Sequence, residues 1–175
     1  NGQEAPLMSH NIIRKKVLPF INIEVPTYMI LIDNLRYDQW KVIEPLVLED
    51  FIVEKDEIYT SILPTSTQYA RNSIFAGLLP SEIQKKYPDM WKNDQEKGGK
   101  NMYEEEVLLS NLKMLGKGGS KVSYTKITNL NIGKKVIAKV PNMRNNELNV
   151  IVYNFVDMLS HARTDMQVIK ELAAD

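Results

Sequence analysis

Three hydroxyl side chains stand together at Thr65, Ser66 and Thr67, directly after Pro64. They precede a predicted helix that runs to about Ala76, where Gly77 and then Pro80 supply stop signals. A hydroxyl at a helix N-terminus meets free backbone N–H groups and the positive end of the helix dipole, a setting that suits a phosphate group. The same residue types are ordinary helix caps, so the local pattern supports either role. Other candidates follow apolar runs: Asp33 after Tyr28–Ile32, and Asp157-x-x-x-His161 after Leu148–Phe155. Carboxylate, hydroxyl and imidazole together make a zinc environment. A threonine held there could ionise near neutral pH and attack a phosphate ester. The alternatives are a cap formed by Asp33 or Asn34 and a histidine bonded near a helix end. Arg71 lies one turn past Thr67 on the same face. It reaches phosphate or forms a surface salt bridge, and Arg36 has the same two readings. Trp40, Tyr87 and Trp91 stack on bases or pack against a core or lid.

The elements that would position these residues alternate along the chain. Tyr28–Asp33 is a continuous apolar run, predicting a strand buried on both faces. A helix follows over Leu35–Leu48, with Pro45 expected to kink it or end it early. Ile58–Leu63 predicts a second strand, feeding the Thr/Ser helix. Two strand–helix units in succession imply right-handed crossovers and a parallel sheet, with Asp33 at a strand tip where such sheets place ligands. Ser81–Lys86 predicts a short helix, 87–100 a long loop, and Tyr103–Leu115 a helix with Glu104–Glu106 in its first turn. Gly116–Lys121 lacks the spacing of a phosphate-binding loop and reads as a turn. Val122–Ile127 and Lys134–Val140 read as strands of a hairpin around Asn129–Gly133, at an edge or in a small lateral sheet. Leu148–Phe155 predicts a buried strand, and 165–174 a final helix. Residues 1–25 read as a linker or surface segment with one short helix and a solvated His10, and 26–175 as the domain. The expected fold is α/β, a mainly parallel central sheet with helices on both faces. If its long strands are parallel neighbours, Asp33, Thr67 and the Asp157/His161 pair converge at one edge.

Composition sets the bounds. The chain has 175 residues, enough for a sizeable core, and 43% are apolar. Acids and bases balance at 22 each, so no global field draws nucleic acid or an anionic membrane, and any anion site is local. The absence of cysteine excludes disulfides and thiolate metal sites and fits a cytoplasmic setting. No apolar run approaches membrane-spanning length. The chain starts at Asn1 and is read as a piece of a longer protein.

Three stretches resemble the alkaline phosphatase superfamily, and more closely its PglZ domains, above all those of PorX-type response regulators. Tyr28-Met-Ile-Leu-Ile-Asp-Asn-Leu-Arg-Tyr-Asp-Gln-Trp40 is similar to the first strand and metal aspartate of PglZ domains. Leu63-Pro-Thr-Ser-Thr-Gln-Tyr-Ala-Arg-Asn-Ser-Ile-Phe-Ala-Gly-Leu-Leu-Pro80 resembles their nucleophile helix and the Pro-Thr-x-Thr element of nucleotide pyrophosphatases/phosphodiesterases. Asp157-x-x-x-His161 is similar to a metal-holding pair of the superfamily. The resemblance implies two zinc ions, one held by Asp33 and Thr67 and the other by Asp157 and His161. It implies Thr67 as the nucleophile and a nucleotide or oligonucleotide phosphodiester as substrate. For a parent protein it implies two-component signalling and phosphorylation-driven homodimerisation, with no membrane partner. Superfamily sites use a further Asp-His pair and another histidine, whereas this chain has only His10 and His161. The remaining ligands lie outside this chain or come from elsewhere, so this piece alone is expected to bind zinc weakly and turn over slowly or not at all. A non-catalytic signalling or assembly module on the same fold is the alternative. A sulfatase needs Cys or Ser where Thr67 stands, and a phosphomutase has no positive feature here.

Overall fold

The computed structural model describes residues 6–92, 99–154, 156 and 157. The chain divides into two compact units, Asn1–Thr27 with Glu57–Lys121 and Tyr28–Asp56 with Val122–Asp175.

The second unit holds a three-stranded sheet of β1 (Thr27–Ile32), β2 (Val122–Ile127) and β3 (Leu148–Tyr153), in the order β1-β3-β2. β2 and β3 are parallel, in a register from Val122 opposite Leu148 to Ile127 opposite Tyr153. At the other side of β3 the Asp33 amide donates to the Tyr153 carbonyl (3.0 Å), while the Asn154 amide donates to the Ile127 carbonyl (2.9 Å). All three strands therefore finish at one rim, the α/β arrangement that the sequence predicts. The central strand is the buried one: Leu148, Val150 and Val152 are sealed from solvent. β1 departs from the expected strand buried on both faces, since Tyr28 and Ile30 are exposed, Ile30 by 63%. An unbroken apolar run does not reveal that its strand takes an outer position in the sheet.

Residues 134–140 are not a strand, and no hairpin forms around Asn129–Gly133. They belong to a helix, Leu130–Met143, whose first turn is capped by Asn129 Oδ1 accepting from the Ile132 amide at 2.9 Å. Val136 and Met143 are buried with Ile127, and Ile132, Ile151 and Tyr153 pack beside them. Two parallel strands cannot be joined by a tight turn and need a crossover, which this helix supplies. β2 is an edge strand, as expected. The start of β3 is fixed by the buried Asn149. Its Oδ1 accepts from Ser123 Oγ (2.6 Å) and Asn146 Nδ2 (2.9 Å), and its Nδ2 donates to the Met143 carbonyl (2.9 Å). After β1, Asn34 adopts a left-handed φ of 60°, tolerated by asparagine, and turns the chain towards α1 (Tyr37–Val47). That helix continues past Pro45 rather than ending there.

The first unit is helical. α2 (Thr67–Ala76) starts on Ser66, whose carbonyl accepts from the Tyr69 and Ala70 amides at 2.9 and 3.0 Å. Every residue from Ala70 to Ala76 is buried. α2 closes on Gly77 at φ 65°, and a side chain there would press into Asn111, which lies 2.8 Å from an ideal Cβ position. Asn111 in turn donates from Nδ2 to the Phe75 carbonyl (2.9 Å), one of the last carbonyls of the helix. α3 (Pro80–Lys86) and α4 (Glu104–Met114) follow, with Val107, Leu108 and Leu112 of α4 buried. Residues 9–20 form short helical turns, and Ser9, Ile13, Val17 and Ile21 are buried. His10 is half-buried rather than solvated; its Nδ1 is enclosed and has no hydrogen-bond partner among the described residues.

The predicted strand over 58–63 is absent. Thr60 makes one isolated parallel bridge, its amide donating to the Leu7 carbonyl (2.8 Å) and its carbonyl accepting from Ser9 (3.3 Å). Ile58, Tyr59 and Leu63 are exposed. These residue types favour strands because they pack on a pleated surface, and among the described residues no named strand pairs with this segment. Thr67 therefore follows an extended segment rather than a sheet strand. Among the described residues no helix is long and apolar enough to cross a membrane. The predicted helix over 165–174 lies outside the described residues.

Candidate functional site

Asp33 is the residue next after β1, and Asp157 lies four residues after the end of β3. The bond from the Asp33 amide to Tyr153 makes these two strand ends neighbours, so both acids come from adjacent strands at one rim of the sheet. Each is half-buried. His161 lies outside the described residues. Carboxylate and imidazole donors suit zinc, but among the described residues no group of three His, Cys, Asp or Glu could hold a metal ion. Asp33 and Asp157 are thus placed near one rim, with no role as ligands assigned by that placement.

Thr67 belongs to the other unit, where it is the first residue of α2. Its neighbours Thr65 and Ser66 are exposed, while Thr67 is half-buried. No side-chain hydrogen bond caps the helix from Ser66.

The two arginines have different surroundings. Arg36 is exposed and pairs through Nη2 with Asp38 Oδ2 at 2.6 Å, a surface salt bridge. Hydrogen bonding to Arg36 holds the Asp38 carboxyl below its ordinary range, and the same bond raises the arginine. The expected surface setting does not hold for Arg71, which is only 5% exposed and pairs with Glu104, itself 1% exposed. Arg71 Nε donates to Glu104 Oε1 and Nη2 to Oε2 (3.2 Å), a two-pronged contact. Asn101 Nδ2 also donates to Glu104 Oε1, at 2.7 Å.

Glu104 and Asn101 are the polar residues that sequence reasoning missed. Glu104 reads as one of three acids complementing a helix N-terminus, and Arg71 lies 33 residues away, beyond any spacing rule for a helix face. An arginine on a helix with no acid at helical spacing from it was the available signal. Near the same end of α2, Trp91 meets Tyr69 with ring centres 6.0 Å apart, and Lys100 Nζ lies over both rings at 5.4 and 5.7 Å. Trp91 packs in that cluster; Tyr87 carries Lys86 Nζ at 5.5 Å, and Trp40 is half-buried.

No curated protein matches the chain. Residues 12–175 match the family model described as the BREX system PglZ alkaline phosphatase-like domain. That span contains Asp33, Thr67, Arg71, Asp157 and His161 and nearly all of both units, and the chain belongs to the PglZ family of alkaline phosphatase-like domains.

Proposed function

We propose that this chain is part of a zinc-dependent phosphoester hydrolase domain through which the parent protein cleaves nucleotide or oligonucleotide phosphodiesters, with Thr67 as the nucleophile and this piece alone weak or inactive. The observation that carries this reading is the match of residues 12–175 to an alkaline phosphatase-like family, a span that includes Asp33, Thr67, Asp157 and His161. The meeting of the Asp33 and Asp157 strand ends supports it. Asp33 with Thr67, and Asp157 with His161, are the proposed ligands of two zinc ions. Zinc, when bound, supplies Lewis-acid charge to the phosphoryl oxygens. The chain's own part is to present the Thr67 hydroxyl from the first turn of α2. There, backbone N–H groups and the helix dipole favour the phosphate oxygens. Arg71 is proposed to support α2 rather than to touch substrate, because both prongs of its guanidinium meet Glu104. From the resemblance to PorX-type proteins, the parent is further proposed to be a cytoplasmic two-component response regulator that dimerises.

A non-catalytic signalling or assembly module is the second reading, favoured by the count of two histidines. Hydrolysis of bis(p-nitrophenyl) phosphate by the full-length protein separates the two. The hydrolase reading expects a chelator to suppress the rate and added zinc to restore it; a rate indifferent to the chelator contradicts it. Retention of signalling output by a full-length protein with Thr67 replaced would favour the second reading.

A further inference from the structure

Side-chain hydrogen bonds in both directions tie α2 to the segment that leads into α4. Asn101 Nδ2, which donates to Glu104, also donates to the Thr67 carbonyl at 3.4 Å. From within α2, Asn72 Nδ2 donates both to the Gln68 carbonyl (2.8 Å) and to the Lys100 carbonyl (2.9 Å). Arg71, one turn along from Thr67, grips the same Glu104 carboxylate from within α2. Glu104 is thus a node that orients Asn101 on one side and Arg71 on the other. We propose that Asn101 and Glu104 are positioning residues for Thr67, fixing the backbone of the residue whose hydroxyl must be aimed. This rests on the reading of Thr67 as nucleophile. The direction of its Cα–Cβ bond follows the first turn, and misplacement by about 1 Å can lower a rate by about a hundredfold.

The test uses Asn101→Ala and Asn101→Gln in the full-length protein, with residue-resolved amide exchange and steady-state kinetics on bis(p-nitrophenyl) phosphate. Loss of one hydrogen bond to the turn is expected to speed exchange at Tyr69 and Ala70 about tenfold. Phe75 and Ala76 should keep their rates. The kcat is expected to fall about ten- to a hundredfold with KM unchanged, and Asn101→Gln, which keeps the donor, should recover part of it. Unchanged exchange at Tyr69 and Ala70 overturns the proposal, as does unchanged kcat. Full hydrolysis by Thr67→Ala would instead remove the nucleophile reading, and the exchange rates would then judge the clamp as a structural device alone.

Discussion

Thr67→Ala is expected to lower phosphodiester hydrolysis by the full-length protein on the order of ten-thousandfold or more, with the fold intact. Removing an attacking group forces the reaction onto water and leaves only binding and charge stabilisation. The fold should survive because α2 is secured further along. Residues from Ala70 to Ala76 are buried, Asn111 caps the Phe75 carbonyl, and Gly77 closes the helix. The substituted residue is half-buried at the first helical position, where alanine is well tolerated. Thr67→Ser keeps the hydroxyl and should keep measurable turnover. Rates with this substrate, alongside urea denaturation, check both statements. Turnover by Thr67→Ala near that of the unaltered protein would refute the assignment.

Glu104→Ala is expected to be the most destabilising single change in the first unit, costing about 3–5 kcal/mol. The loss comes from removing the two-pronged carboxylate contact of an Arg71 guanidinium that is only 5% exposed. Asn101 loses the nearer of its two acceptors described above at the same time. Denaturant titration would read this as a midpoint lowered by about 1 M urea or more. Replacing both charges with apolar residues, Arg71→Met with Glu104→Leu, should recover most of the stability, because the buried charges are removed together. A Glu104→Ala midpoint within error of the unaltered protein would show that solvent or another group compensates Arg71.

The parts of the fold that were legible in the sequence are those governed by local chemistry. α2 with its glycine stop, α4 with its buried stripe and the apolar strand β3 each carry their own signal. What misled was the strand-like residue type without a sheet to join. Ile58–Leu63 is β-prone yet exposed, and 134–140 alternates plausibly yet winds into the crossover helix. Whether a neighbouring strand exists is a property of the whole chain, so no window of residues reveals it. The candidate site divides the same way. The positions of Asp33 and Thr67 at element ends, after β1 and at the start of α2, are legible because strand and helix ends carry local signals. The partner of Arg71 was not, because a buried ion pair between separate helices leaves no spacing pattern. His161 lies outside the described residues, so the Asp157/His161 pairing rests on sequence.

The most direct measurement is anomalous scattering at the zinc edge from crystals of the full-length protein grown with zinc. The account predicts a peak within about 2.0–2.2 Å of both an Asp33 carboxylate oxygen and the Thr67 hydroxyl. A second peak is expected at Asp157 and His161. Zinc peaks that avoid Asp33 and Thr67, or a map with none, would contradict it.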